Sequence, residues 1–77
     1  MKLDFKDTYR HWHVGPLVGG VKQPDELHVE PKTDAIRTKL RDSIGAIVTS
    51  VGHGGTRYTV HREVGGVYVL TNAKEAS

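Results

Sequence analysis

The sequence predicts an α+β domain, with one main helix packed on a small antiparallel sheet that contains a C-terminal β-hairpin. Apolar residues recur at helical spacing from Ile36 onward. Two segments of alternating character flank the glycine pair Gly65 and Gly66, as in a hairpin. The 77 residues form a single domain, 1–77, in which roughly 60–65% of the surface of the unfolded chain is buried.

The first predicted strand covers Thr8–Val14, where aromatic and β-branched residues dominate. A Gly-Pro pair ends it, because proline has no amide hydrogen to donate to a sheet. Residues 15–33 hold all three prolines of the chain. Two interpretations stay open there: a short strand Glu26–Glu30 with Leu27 and Val29 facing inward, or an ordered loop.

The main helix begins at Thr33 or Asp34, because either side chain can accept a hydrogen bond from a first-turn amide. Its end has two interpretations: one helix along the whole apolar stripe, or a helix 34–44 followed by a strand 46–51. Gly45 costs about 1 kcal/mol inside a helix, and the Ile-Val-Thr run after it favours a strand. We therefore expect the helix followed by the strand.

The predicted hairpin joins strands 57–64 and 67–72 through a two-residue turn, in which both glycines tolerate positive φ. The turn sets a register that pairs Val64 with Val67, Arg62 with Val69 and Val60 with Thr71. The apolar side chains expected to be largely buried are Ile36, Leu40, Ile44, Val60 and Val69. The tail, 73–77, is expected to fray.

Composition restricts the setting and the chemistry. The absence of cysteine excludes disulfides and thiolate metal sites and favours a reducing compartment. No apolar run approaches the roughly 20 residues that span a bilayer, and residues 1–7 have no signal-peptide character. We expect a cytoplasmic protein without a membrane partner. Homodimerisation is possible, because it is a common way for so small a chain to bury more surface.

Five histidines raise the question of metal binding or acid–base catalysis. His11 and His13 point the same way on a strand and would share a metal if His28, His53 or His61 supplied a third ligand. No cysteine and no recognisable ligand spacing accompany them. We therefore expect no metal, no cofactor and no enzymatic activity.

The single tryptophan, Trp12, has two interpretations. Together with Tyr9 it would form an exposed aromatic surface for bases or for a protein partner. The tryptophan of a small domain is more often part of the core, and that is the expectation here.

Charge is unevenly distributed along the chain. Residues 32–62 carry six Lys or Arg and two Asp, a net charge of 6 − 2 = +4, whereas the whole chain is +2. We expect a non-enzymatic nucleic-acid-binding module, for DNA above all, in which the helix and the first hairpin strand form one basic face. Its predicted contact residues are Arg37, Lys39, Arg41, Arg57, Thr59 and Arg62.

The alternative function is a protein-binding regulator or inhibitor of a host enzyme, of the kind found among phage and mobile-element accessory proteins. It would meet an acidic protein surface, or pair a strand edge within 57–70 with a partner sheet. The low net charge of the whole chain is the main argument against DNA binding and one basis of this alternative.

Overall fold

The computed structural model describes residues 1–15, 17–22, 25–51 and 53–73, the side chain of His53 excepted. This part of the chain contains eight strands, one α-helix and two short 3₁₀ turns. The strands are β1 (Lys2–Asp4), β2 (Thr8–Val14), β3 (Leu17–Val18), β4 (Val21–Lys22), β5 (Glu26–Pro31), β6 (Ile47–Val51), β7 (Arg57–Val64) and β8 (Val67–Asn72). The helix α1 is Asp34–Asp42, and the 3₁₀ turns are Phe5–Asp7 and His53–Gly55.

Six of the strands form one mixed sheet in the order β1-β6-β7-β8-β5-β2, curled into a half-barrel. The β1–β6 pair is parallel, and the other pairs are antiparallel. The α+β prediction, with one main helix on a small antiparallel sheet, is therefore wrong: the chain is mostly β. Residues 1–31 supply β1, β2 and β5, which pair with strands distant in sequence, and local patterns carry no signal for such pairing.

The curl of the sheet brings its two edges together at one end. β1 and β2 lie at opposite edges of the sheet order, yet only the turn Phe5–Asp7 separates them in sequence. Strand twist, which accumulates across six strands, provides this curvature. β3 and β4 form a separate two-stranded ribbon with a Gly19-Gly20 turn. We call this ribbon, residues 17–22, the arm.

The inner face of the sheet carries the hydrophobic core, and α1 covers it. The core residues are Leu3, Leu27, Val29, Leu40, Val48, Tyr58, Val60, Tyr68 and Leu70, with Phe5 and Ile36 packed against them. Leu27 and Val29 face inward on β5, which confirms the strand interpretation of that segment. The Tyr68 hydroxyl donates to the carbonyl oxygen of Arg37 at 3.3 Å and so ties α1 to the sheet.

Trp12 lies outside this core. It is directly opposite His28, which is opposite Val69 on the next strand. Val69 alternates with the buried core residues Tyr68 and Leu70 and therefore belongs to the other, outer face. Trp12 is half-buried there, so the expectation of a core tryptophan is wrong.

The helix begins as predicted and ends at Asp42, two residues before its predicted end. Thr33 is the N-cap, and its side-chain oxygen accepts from the Ile36 amide at 3.3 Å. After Asp42 the chain turns through Gly45, whose φ is +88°, and β6 follows, so the interpretation of a helix followed by a strand is confirmed. Because the helix has ended, Ile44 bridges to β7 and stays 45% exposed. Its predicted burial is wrong.

The hairpin has the predicted bounds. Its register agrees with the prediction from Val64 to Arg62 and is shifted by one residue from Val60 onward. Val64 pairs with Val67 and Arg62 with Val69, but Val60 then pairs with Leu70 instead of Thr71. His61 is the extra residue of a β-bulge. The backbone of Val60 also forms two hydrogen bonds with the segment that precedes β6. Its amide donates to the Ala46 carbonyl at 3.0 Å, and its carbonyl accepts from the Gly45 amide at 2.7 Å. Val60 consequently points into the core.

Of the buried residues predicted, Leu40 and Val60 are 0% exposed and Val69 is 2% exposed. Ile36 is only partly buried at the margin of the core. Apart from Ala73, the tail that is expected to fray lies outside the described residues.

Candidate functional site

The predicted basic residues of the helix are exposed but partly neutralised. α1 turns Leu40 to the core, which leaves Arg37, Lys39 and Arg41 in solvent. The Arg37 guanidinium lies 4.0 Å from the Asp34 carboxylate, and that of Arg41 lies 3.7 Å from Asp42. The helix therefore presents a mixed surface in which carboxylates offset part of the positive charge.

The predicted residues of β7 lie on the other side of the sheet. Tyr58 and Val60 face the core, so the alternation of the strand sends Arg57 and Thr59 to the outer face. Arg62 follows the bulge and pairs with Val69 on that same outer face. The six predicted contact residues thus form two groups on opposite faces of the sheet, and the single basic face expected from sequence is not assembled.

The outer face instead carries a small network of charged and aromatic side chains. Arg62 lies 3.7 Å from Glu26, whose other oxygen is 3.1 Å from Nε2 of His28. Trp12 packs on His28 with ring centroids 5.3 Å apart. Arg10 stacks over Trp12 at 4.9 Å. Positive and negative charges alternate across this network, so it provides no strongly basic surface.

A further ion pair closes the network at the edge of the sheet. Arg10 bonds to Glu30, Nε to Oε1, at 2.6 Å. All four charged members of the network, two arginines and two glutamates, are thus engaged with one another or with His28.

The four histidines with described side chains do not converge, and the side chain of His53, the other candidate ligand, lies outside the described part of the chain. His11 and His13 share a face of β2, as predicted, but His11 stacks on Phe5 with ring centroids 4.3 Å apart. His28 lies on the outer face, and His61 is the bulge residue of β7. Among the described side chains, no group of three or more histidines or carboxylates is placed to hold a metal ion.

The edge of the sheet at β2 is open. β2 pairs with β5 on one side, and among the described residues no strand pairs with its other side. Within Thr8–Val14, Arg10 is the one residue that carries a formal charge, and the strand has no proline or lysine. Charged residues, above all lysine, and proline are the residues that usually prevent an exposed edge strand from pairing with another chain. A bulge at Tyr9 interrupts the ladder near its start.

The arm follows β2 in the sequence and carries apolar side chains in solvent. Leu17 is 71% exposed, and Val18 and Val21 are each 62% exposed. At the base of the arm, a Cβ on Gly15 would come within 2.7 Å of Asp25 and 2.8 Å of Lys22. Both contact atoms are the ends of exposed side chains that can move aside. The open edge of β2, Thr8–Val14, and the apolar arm, residues 17–22, together form the candidate interaction site.

Sequence reasoning missed this site although a signal for it is present. Val18-Gly19-Gly20-Val21 repeats the Val-Gly-Gly-Val turn of the C-terminal hairpin, residues 64–67. The same turn thus predicts a second hairpin. The open edge is harder to find, because the sheet order decides which strand is outermost. The expected pairing of an edge within 57–70 with a partner sheet is excluded, since β7 and β8 are interior strands.

No helix in the described part of the chain is long and apolar enough to cross a membrane. Comparison with known proteins adds no relationship: no family model, no curated protein and no solved structure matches this chain.

Proposed function

We propose that this chain is a non-enzymatic protein-binding module, and that its binding site is the open edge of β2 together with the arm. The observation that carries the proposal is the arm itself, a two-stranded ribbon with Leu17, Val18 and Val21 between 62% and 71% exposed. Apolar side chains clustered in this way on a small domain are typical of a surface that a partner covers.

The neighbouring edge provides the second half of the site. An extended segment that adds to an open strand gains main-chain hydrogen bonds, while side-chain contacts provide specificity. β2 offers seven residues with one formal charge, so little charge has to be desolvated when a partner strand pairs with it. The arm then supplies the apolar contacts.

The two Val-Gly-Gly-Val turns allow a matched test. Val18 and Val64 hold the same position in the two turns and are 62% and 57% exposed. The double variant Leu17→Ser/Val18→Ser replaces two exposed apolar side chains of the arm. The control Val64→Ser replaces one exposed apolar side chain at the tip of the C-terminal hairpin. Immobilised wild-type chain, arm variant and control are compared for proteins retained from nuclease-treated lysate of the source cells, followed by direct titration of any protein retained.

We expect a protein that binds the wild type and Val64→Ser and is lost from the arm variant. Circular dichroism and thermal unfolding should show the same fold for all three chains, since the substituted side chains are exposed. Equal retention of the partner by the arm variant would contradict the proposal, and so would the recovery of nucleic acid alone when the nuclease is omitted.

Nucleic-acid binding by α1 is the second candidate, favoured by the exposure of Arg37, Lys39 and Arg41 on one short helix. Anisotropy titrations of a random duplex at about 50 and about 200 mM salt test it. Arg41→Ala should reduce the salt slope by about one, whereas Arg62→Ala, on the opposite face, should leave it unchanged. Absence of binding at the lower salt, up to tens of micromolar protein, would contradict this candidate.

A further inference from the structure

We propose that β2 contains a displaceable segment: residues 10–14 detach from β5 as a unit while the rest of the fold stays intact. We call these residues the edge segment. Such opening is a property of the free chain and goes beyond the proposed function, since it needs no partner. The edge segment adds nothing to the hydrophobic core, exposed or marginal contacts hold it, and a hinge precedes it.

The edge segment is the part of the six-stranded sheet that the hydrophobic core does not hold. Each of the other five strands supplies at least one core residue, such as Leu3 on β1 and Val48 on β6. None of residues 10–14, all of which the structure describes, belongs to that core. Three of them are exposed, and Trp12 and Val14 are half-buried. Because hydrophobic burial is the dominant favourable term in folding, detachment of this segment sacrifices little of it.

The side-chain contacts that hold the edge segment lie in solvent or at the margin of the core. Arg10 Nε bonds to Glu30 Oε1 at 2.6 Å, but the Arg10 side chain is 63% exposed, and exposed ion pairs contribute little to stability. Trp12 packs on His28 at the outer face. His11 stacks on Phe5, which is only partly buried beside the core. Regions with so few buried apolar contacts open at a lower free energy than the domain as a whole.

The residues before the edge segment provide a fixed end and a hinge. Thr8 is buried, and its hydroxyl donates to the Phe5 carbonyl at 2.7 Å. The neighbouring Asp7 carbonyl accepts from the Lys32 amide at 3.2 Å. A bulge at Tyr9 then interrupts the ladder, and Tyr9 itself is 71% exposed. The chain is thus anchored up to Thr8 and can pivot at Tyr9 without disturbing that anchor.

Detachment of the edge segment changes which strand forms the edge of the sheet. In the closed state the edge strand is β2. In the open state it is β5, which still pairs with β8. A partner strand that adds to β2 stabilises the closed state, whereas one that takes the place of β2 stabilises the open state. The opening equilibrium therefore sets the fraction of chains that present the proposed binding edge.

Native-state hydrogen exchange, followed by NMR on the wild-type chain, tests the opening. The amides of an interior antiparallel strand bond alternately to its two neighbours, so β5 contains its own control. Its amides bonded to β2 should exchange together with those of the edge segment, on the order of 100-fold faster than its amides bonded to β8. The fast set should respond only weakly to urea, because local opening exposes less surface than unfolding of the whole domain.

The variant Val48→Ala separates local opening from global unfolding. Val48 is fully buried on β6, and β6 and β2 are not neighbours in the strand order. Its truncation destabilises the closed and open states alike relative to the unfolded chain. Exchange of the β7 and β8 amides should therefore rise on the order of 10-fold or more, while exchange of the edge segment should stay within about twofold of the wild type.

Two ion-pair variants test the contacts that hold the edge segment. Glu30→Gln removes the partner of Arg10 and should accelerate exchange of the segment about twofold to fivefold, the effect of losing one exposed ion pair. Asp34→Asn removes an exposed ion pair of α1 and should leave exchange of the segment unchanged.

Equal protection of the two sets of β5 amides in the wild-type chain would overturn the inference. So would acceleration of the edge segment by Val48→Ala as large as that of β7 and β8, or equal effects of Glu30→Gln and Asp34→Asn on the segment. If Val48→Ala fails to fold, the urea dependence of the wild-type chain decides between local and global opening. None of these measurements involves a partner, so failure of the opening and failure of the capture experiment are separate results.

Discussion

Replacement of Leu40 by alanine should weaken the packing of the helix on the half-barrel. Leu40 is 0% exposed and is the one fully buried side chain of α1, with Ile36 only at the margin of the core. A helix of nine residues is far too short to persist on its own in water. Its place over the sheet therefore depends on this leucine and on the Tyr68 hydrogen bond.

The cost follows from the site. Leu→Ala in a packed core removes about 2–5 kcal/mol, and the cost is lower where the surroundings can collapse. Leu40 is the one fully buried side chain of α1 and the helix can settle toward the sheet, so we expect about 2–4 kcal/mol. A chain of this length has a total stability of about 4–12 kcal/mol, so the variant loses a large fraction of it.

Urea unfolding followed by far-UV circular dichroism measures the loss. With an m-value of about 1 kcal/mol/M, at the low end for small domains, the midpoint should fall by roughly 2–4 M. Thr38→Ala is the matched control, since Thr38 is exposed on the same helix and its replacement should stay within about 0.5 kcal/mol. A Leu40→Ala loss no larger than that of the control would refute the packing of α1 described here.

Three further outcomes are expected. Tyr68→Phe should lose about 1 kcal/mol of stability in the same assay, because the hydroxyl donates to a helix carbonyl; no loss would mean that this bond does not anchor α1. A chelator should leave the melting temperature unchanged; a drop that zinc restores would identify His11 and His13 as ligands. Deletion of the bulge residue His61 should be tolerated far better than deletion of Thr59, which would turn every earlier residue of β7 to the wrong face; equal loss of secondary structure would contradict the register.

Elements governed by adjacent residues could be predicted from the sequence. The Gly65-Gly66 turn sets both strands of its hairpin, and Thr33 begins the helix through its own side chain. Gly45 separates helix from strand because its backbone adopts a left-handed conformation, with φ +88°. In each case the determining interaction lies within a few residues, which is the range over which sequence patterns are informative.

The sheet order could not be predicted in this way. β5 lies between β8 and β2, and β1 runs parallel to β6, so three of the five ladders join strands far apart in sequence. The apolar stripe beyond Leu40 also imitated a helix: Ile44 and Ile47 continue its spacing, yet the first bridges to β7 and the second begins β6. Short apolar segments fit either periodicity, and tertiary pairing decides between them.

The candidate site follows from these unpredicted features. The clustering of charge along the sequence predicted one basic face. Strand alternation, however, sends Arg57 and Thr59 away from the face that α1 covers. The bulge at His61 lets Val60 point inward while Arg62 stays outward. Sequence proximity of cations therefore does not become spatial proximity here. The edge position of β2 arises from the same topology. The surface proposed for a partner accordingly lies in the first third of the chain, where composition gave no charge signal at all.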